Sequence, residues 1–161
     1  MNRLLFAFPI VAMLAQLLPV VAVAPQWKKV EPVRRWIAVW GMVFFLSDIL
    51  QLAASGLHTN NLWIYIFTNP VEDGIVLFAL SFWQARPVAR IAYRVAIPLF
   101  IFTYLSIAFG VGDPANFQAV AGPFRAFVVL SATLFTLISR VAQSPEDVGS
   151  RDWFWATVGI A

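Results

Sequence analysis

Five times in this chain a run of about twenty residues passes with almost no charge. That is the length an α-helix needs to cross a bilayer core about 30 Å thick, at 1.5 Å of rise per residue. The runs cover 4–24, 36–54, 62–83, 91–111 and 119–141. A sixth opens at Trp153 and reaches Ala161, the last residue, after nine residues. Nine residues rise only about 13 Å, under half of the core. The expectation is therefore an all-α, polytopic transmembrane helix bundle, one multi-pass membrane domain over 1–161. It has five complete spans and a partial sixth at 153–161, with seven spans in the full-length protein.

Composition closes off the alternatives. Only 12% of the 161 residues are charged and 61% are hydrophobic, where soluble domains carry about 25% and about 45–50%. There is too little charge to cover a water-facing surface, which excludes a soluble domain and a disordered tail. The net charge of +3 and pI near 9.8 do not indicate nucleic acid, because in a membrane protein basic excess marks cytoplasmic loops. The chain has no Cys and a single His, His58. Disulfides, thiolate chemistry and multi-His metal sites have no residues to build them. The sequence supplies no catalytic set, calls for no cofactor or metal, and leans away from an enzyme.

The first run could be read as a signal peptide, since Arg3 precedes it and Ala22-Val23-Ala24 resembles a cleavage site. Its apolar core is longer than the roughly 7–15 residues usual for such segments, and Pro25 would follow the cut. A retained helix is the expectation. Orientation follows from the basic residues. Lys28, Lys29, Arg34 and Arg35 lie in the loop 25–35, Arg86, Arg90 and Arg94 in 84–94, and Arg140 and Arg151 in 140–152. The alternate loops, 55–61 and 112–118, have no Lys or Arg. The basic loops are expected in the cytoplasm and the N-terminus outside, in a bacterial inner membrane. Trp27, Trp36, Trp63, Trp83, Trp153 and Trp155 stand near span ends, as an aromatic belt does.

Charges at membrane depth cost roughly 2.5–3.5 kcal/mol each on insertion scales and direct attention to function. Asp48, Glu72, Asp73 and Arg125 qualify. Asp48 shares a helix side with Gln51. Tyr65, Asn69 and Glu72 or Asp73 follow helical spacing on the third span, and Arg125, Ala132, Thr133 and Thr136 on the fifth. Gln16 on the first span can join them. Consecutive helices are usually neighbours, so Asp48 and Glu72 can approach at mid-depth. Asp48, Gln51, Tyr65, Asn69, Glu72, Asp73 and Arg125 are therefore the candidate ligand-binding residues. One reading is structural, with Arg125 paired to an acid and hydroxyls bonding between helices. Three acids against one base leave at least one carboxyl to be protonated, to face water or to meet another partner. That favours a ligand, ion or proton function.

Pro70 should free a backbone carbonyl near Ile66 and kink the third span; Pro9, Pro19 and Pro98 stand inside other spans. Gly41, Gly122 and Ala132 are small enough for close helix contact, but no G-x-x-x-G occurs to signal dimerisation, and the oligomeric state stays open. His58 sits in an outer loop, and 110–114 reads as an outer turn.

Asn60-Asn61-Leu62-Trp63, Pro70-x-Glu72 and Asp152-Trp153-Phe154-Trp155 resemble motifs of a group of uncharacterised bacterial seven-helix integral membrane proteins. The resemblance implies topology and no activity. A His and a Tyr of that group's third helix have no counterpart here, where Ile66, Phe67 and Thr68 stand. Three functions then compete. The leading one is small-molecule sensing or binding in an intrabundle polar pocket. The second is a transporter or proton-coupled carrier, although the sequence contains no convincing internal repeat. The third is an intramembrane lipid hydrolase similar to lysoplasmalogenase-type enzymes, echoed weakly by Ser47-Asp48. A retinal protein would need its Lys elsewhere, since Lys28 and Lys29 both lie in a loop. The expected partners are the lipid bilayer and a small ligand, with no nucleic acid.

Overall fold

The computed structural model describes residues 10–57, 61–110 and 114–143. All secondary structure among them is helical. A segment Ile10–Gln26 (α1) is followed by Pro32–Gly56 (α2), Leu62–Phe82 (α3), Pro87–Gly110 (α4) and Pro114–Gln143 (α5). Within α5 the side chains are described from Ala119 onward. Four helices are long and apolar enough to cross a membrane: α2, α3, α4 and the stretch Ala119–Gln143 of α5. They match the second to fifth expected spans. The expected first span begins before the described residues, and its described part is shorter, Ile10–Gln26. The partial sixth span, His58 and the turn residues 111–113 lie outside the described residues.

Prolines start these helices and punctuate them. α2, α4 and α5 each begin on a proline, where the missing N–H would have had no helical partner and the fixed φ suits the first turn. These starts lie four or five residues ahead of the hydrophobic runs, because polar and charged residues fill the first turns. Inside the helices, Pro70, Pro98 and Pro123 are accommodated without a break in α3, α4 or α5. Pro19 acts differently. Ahead of it the α-helical pattern is interrupted at Gln16 and Leu17, whose amides reach back only three residues, to Met13 and Leu14.

The chain divides into two compact units, Met1–Ile75 and Val76–Ala161. In the first, the interruption in α1 rests on α2 at Gly41. A Cβ built on Gly41 would lie 2.5 Å from the backbone oxygen of Gln16, so only glycine allows this approach. Ala38, at 2% exposure, continues the small-residue surface one turn away. Between α1 and α2, Arg35 folds back onto the connection and donates to the carbonyls of Val30 at 2.9 Å and Lys28 at 3.1 Å. One arginine of the basic loop thus satisfies carbonyls that the turn leaves open.

In the second unit, α4 and α5 pack antiparallel. Phe100 stacks on Phe124 at 5.8 Å between centroids, while Tyr93, nearer the start of α4, meets Ala132 and Thr136, nearer the end of α5. Arg94 lies two turns into α4, where a lone charge would be expensive. Its guanidinium sits 5.4 Å from the ring centroids of both Phe78 and Phe82, themselves edge-to-face at 5.1 Å. Cation–π attraction of this kind contributes about 0.5–2 kcal/mol, more as water is removed. Trp83, directly after the end of α3, is buried, at 8% exposure, against 57% for Trp63.

The distribution of side chains is the inverse of a soluble domain. Phe102, Phe109 and Phe127 are 70% exposed or more, while Glu72, Ser81, Thr133 and Thr136 are at 2% or less. An apolar exterior on this scale is what hydrocarbon contact requires.

Gly41 provides the test of the α1–α2 contact. Gly41→Ala should destabilise the protein by about 1–3 kcal/mol, the usual cost of overpacking, in reversible unfolding from mixed micelles. Gly122→Ala, where no atom lies within 4 Å of the added Cβ, should be close to neutral. Equal effects from the two would refute the close approach. Gly122, small by sequence, does not serve as a packing notch.

Candidate functional site

α3 carries the polar residues that the interior tolerates least. Of its membrane-length stretch, 61% is buried, against 22% or less for the other three long helices. The exposed side of α3 is apolar, carrying Trp63, Phe67 and Val71. By contrast, Asn69 is 5% exposed, Glu72 2% and Asp73 5%. Asn69 and Glu72 are three residues apart and Asn69 and Asp73 four, so they share a face, and half-buried Tyr65 continues it one turn earlier. Pro70 and Gly74 on the same stretch are also buried. The sequence expectation that this face turns inward therefore holds for Asn69, Glu72 and Asp73. None of Tyr65, Asn69, Glu72 and Asp73 stands without an interaction. Among the described residues no group of three or more His, Asp and Glu converges as a metal site would need.

On α2, Asp48 accepts a 2.7 Å hydrogen bond from Gln16 Nε2 of α1. Gln51 Nε2 donates to Ser47 Oγ one turn back, at 3.2 Å. Gln16 thus has two functions at the interruption of α1: its backbone oxygen meets Gly41, and its amide meets Asp48, two turns further along α2. The interruption before Pro19 is what turns a polar residue of an otherwise apolar segment toward an acid. Arg125 is half-buried on α5, in the second unit, and it too has an interaction.

The polar groups of the second unit are joined to one another. Gln84 Nε2 donates to Thr136 Oγ1 at 2.8 Å and to the Leu80 carbonyl at 3.2 Å. Tyr93 donates its hydroxyl proton to the Ala132 carbonyl at 2.6 Å, and its oxygen lies 2.8 Å from Thr136 Oγ1, which also stands 2.9 Å from that carbonyl as a donor. Each hydroxyl has one proton, so that of Thr136 goes either to Tyr93 or to the Ala132 carbonyl, and Gln84, Thr136, Tyr93 and Ala132 form one connected group. Thr133 and Ser81 bond back to carbonyls of their own helices, Val129 and Leu130 for the first, Phe78 for the second. Thr133 and Thr136, expected on the polar face of the fifth span, are therefore satisfied structurally, which gives α4 and α5 a fixed register.

Gln84 and Tyr93 are the residues that sequence reading did not single out. Charge counting assigns both to the basic loop 84–94, whereas α4 already begins at Pro87 and Tyr93 lies in its second turn. The available signal was pairwise: a Tyr with an apolar body, just inside a span, across from a Thr pair near the end of the next one.

No protein-family model matches the chain, and comparison with curated proteins and with solved structures yields no match. The reading of the site stands on its own chemistry.

The network around Thr136 makes a quantitative expectation. Tyr93→Phe should cost about 0.6–1.7 kcal/mol, the range for hydrogen bonds between membrane helices. Thr136→Val should cost more, because it removes the partner of Tyr93 and of Gln84 together. The double variant should be less destabilised than the sum of the single ones, since residues in one network couple. Strict additivity in a double-mutant cycle in micelles would show that the three groups act independently.

Proposed function

We propose that this chain is a multi-pass membrane protein that binds a small ligand at the buried acidic face of α3 and acts as a sensor of that ligand. The observation that carries the reading is the burial of Asn69, Glu72 and Asp73 together on the most enclosed helix. Three such groups in one face are expensive to keep in hydrocarbon surroundings. Helix packing alone would be served by hydroxyls, as Thr133 and Ser81 serve it here. Carboxyl and amide oxygens are acceptors, which favours a ligand that donates hydrogen bonds or carries positive charge.

Depth supports extending the site to α2. Asp48 lies eight residues before the end of α2 and Glu72 ten residues into α3, about 12 Å and 15 Å from the connection between them. A connection this short favours antiparallel neighbours. Asp48, Gln51, Tyr65, Asn69, Glu72 and Asp73 therefore form the proposed set. A proton-coupled carrier shares the same acids and separates from the sensor reading by experiment.

Glu72→Gln, purified in detergent, should retain its fold and melting temperature to within a few degrees while losing stabilisation by small organic cations and polyols that protect the wild-type protein. Collapse of Glu72→Gln and Asp73→Asn in detergent would instead make the acids structural. Proton uptake by reconstituted vesicles that depends on Glu72 would favour the carrier.

The membrane placement is a bacterial inner membrane, with 25–35, 84–94 and 140–152 on the cytoplasmic side and seven spans in all. The chain has no cysteine of its own, so single introduced cysteines report topology directly. Lys28→Cys should react with an impermeant maleimide only after the cells are opened, and Thr59→Cys in intact cells with a permeable outer membrane. The reverse pattern would invert the orientation.

A further inference from the structure

The end of the α4–α5 hairpin that bears the arginines holds an open cleft of about 430 Å³. Gln84, Arg86 and Ala89 form one wall, and Ile138, Ser139 and Gln143 the other. The geometry points to this cleft as a binding site for the headgroup of an anionic phospholipid. The inference depends on the membrane placement proposed above but not on a ligand at Glu72.

Several independent features converge there. Arg86 is exposed, immediately precedes α4, and its guanidinium makes no hydrogen bond among the described residues. Its charge is therefore not used by the fold. The neighbouring Arg90 is oriented toward the same wall by donating from Nη2 to the Gln84 carbonyl at 3.2 Å. Gln84 itself is fixed by Thr136 and Leu80, so the floor of the cleft is rigid. α4 begins at Pro87, and the first amides it leaves without helical partners are those of Val88 and Ala89, at the positive end of a 24-residue helix.

Charge selects the sign of the occupant. From residue 76 onward the described residues include Arg86, Arg90, Arg94, Arg125 and Arg140 and not one Asp or Glu. The nearest acids along the chain are Glu146 and Asp147, outside the described residues.

Apolar surface selects a lipid over a free anion. Ile138 and Phe135, which line the cleft, are 66% and 51% exposed. A phosphate bound among the amides and Arg86 would have its acyl chains directed along these side chains. Basic pockets between helices at the cytoplasmic side are the usual form of such sites. A soluble phosphate would leave that apolar wall bare.

The full chain, purified and stripped of lipid in dodecyl maltoside, is titrated with mixed micelles of phosphatidylglycerol or of phosphatidylcholine, and its melting temperature is followed. Phosphatidylglycerol should stabilise the protein at lower lipid concentration than phosphatidylcholine. Arg86→Ala should weaken that response by about fivefold, as expected for loss of one basic residue at a lipid headgroup, with the lipid-free melting temperature unchanged. Ser139→Leu, which narrows the cleft from the other wall, should weaken it also. Equal responses to the two lipids would overturn the proposal, as would an Arg86→Ala variant with wild-type response. A shift reproduced by inorganic phosphate alone would assign the cleft to a soluble anion. A chain that needs no detergent to stay soluble would overturn the membrane placement itself.

Discussion

In hydrocarbon an unsatisfied backbone amide or carbonyl costs several kcal/mol, and a helix is the element that satisfies them within one segment. The rest of this structure follows from that constraint. Long helices leave side chains as the only variable, and lipid outside leaves the interior as the only place for polar ones. Hence the exposed phenylalanines of α4 and α5 and the buried threonines between them. The same constraint explains the prolines at the starts of α2, α4 and α5, where no hydrogen bond is lost. Where Pro19 stands inside an apolar segment, the backbone loosens ahead of it, and Gln16 turns to both Gly41 and Asp48.

The polar interior is of two kinds. In the second unit, Gln84, Thr136, Tyr93 and the Ala132 carbonyl complete one another, and such closed networks specify register rather than chemistry. In the first, Asn69, Glu72 and Asp73 concentrate carboxyl groups on one face of α3, beyond what helix association needs. The first kind accounts for register, and the second is where the proposed ligand site lies. The arginines divide in the same way. Arg35 holds carbonyls of a turn and Arg94 lies against two phenylalanines, while Arg86 remains open beside a cleft.

The helices were largely legible in the residues. The runs at 36–54, 62–83, 91–111 and 119–141 correspond to α2, α3, α4 and α5, with the starts of α2, α4 and α5 displaced outward by polar first turns that hydropathy does not count. The inward face of Asn69, Glu72 and Asp73 was legible too, because only spacing and the cost of charge in lipid were needed. Gly122 shows the limit: small size permits close packing, but whether a neighbour comes near is not written locally. Trp83 shows it again: the sequence places it near a span end, and only packing decides that its ring is buried.

Hydrophobic run length and the scarcity of charge determined by themselves that this chain forms long apolar helices. Both depend on local free energies, summed residue by residue. Only the tertiary structure decided that Asp48 pairs with Gln16, that Tyr93 and Gln84 meet on Thr136, and that Arg86 borders a cleft. Those outcomes depend on which faces of separate helices come together. A helix presents every face equally well until another helix covers one of them.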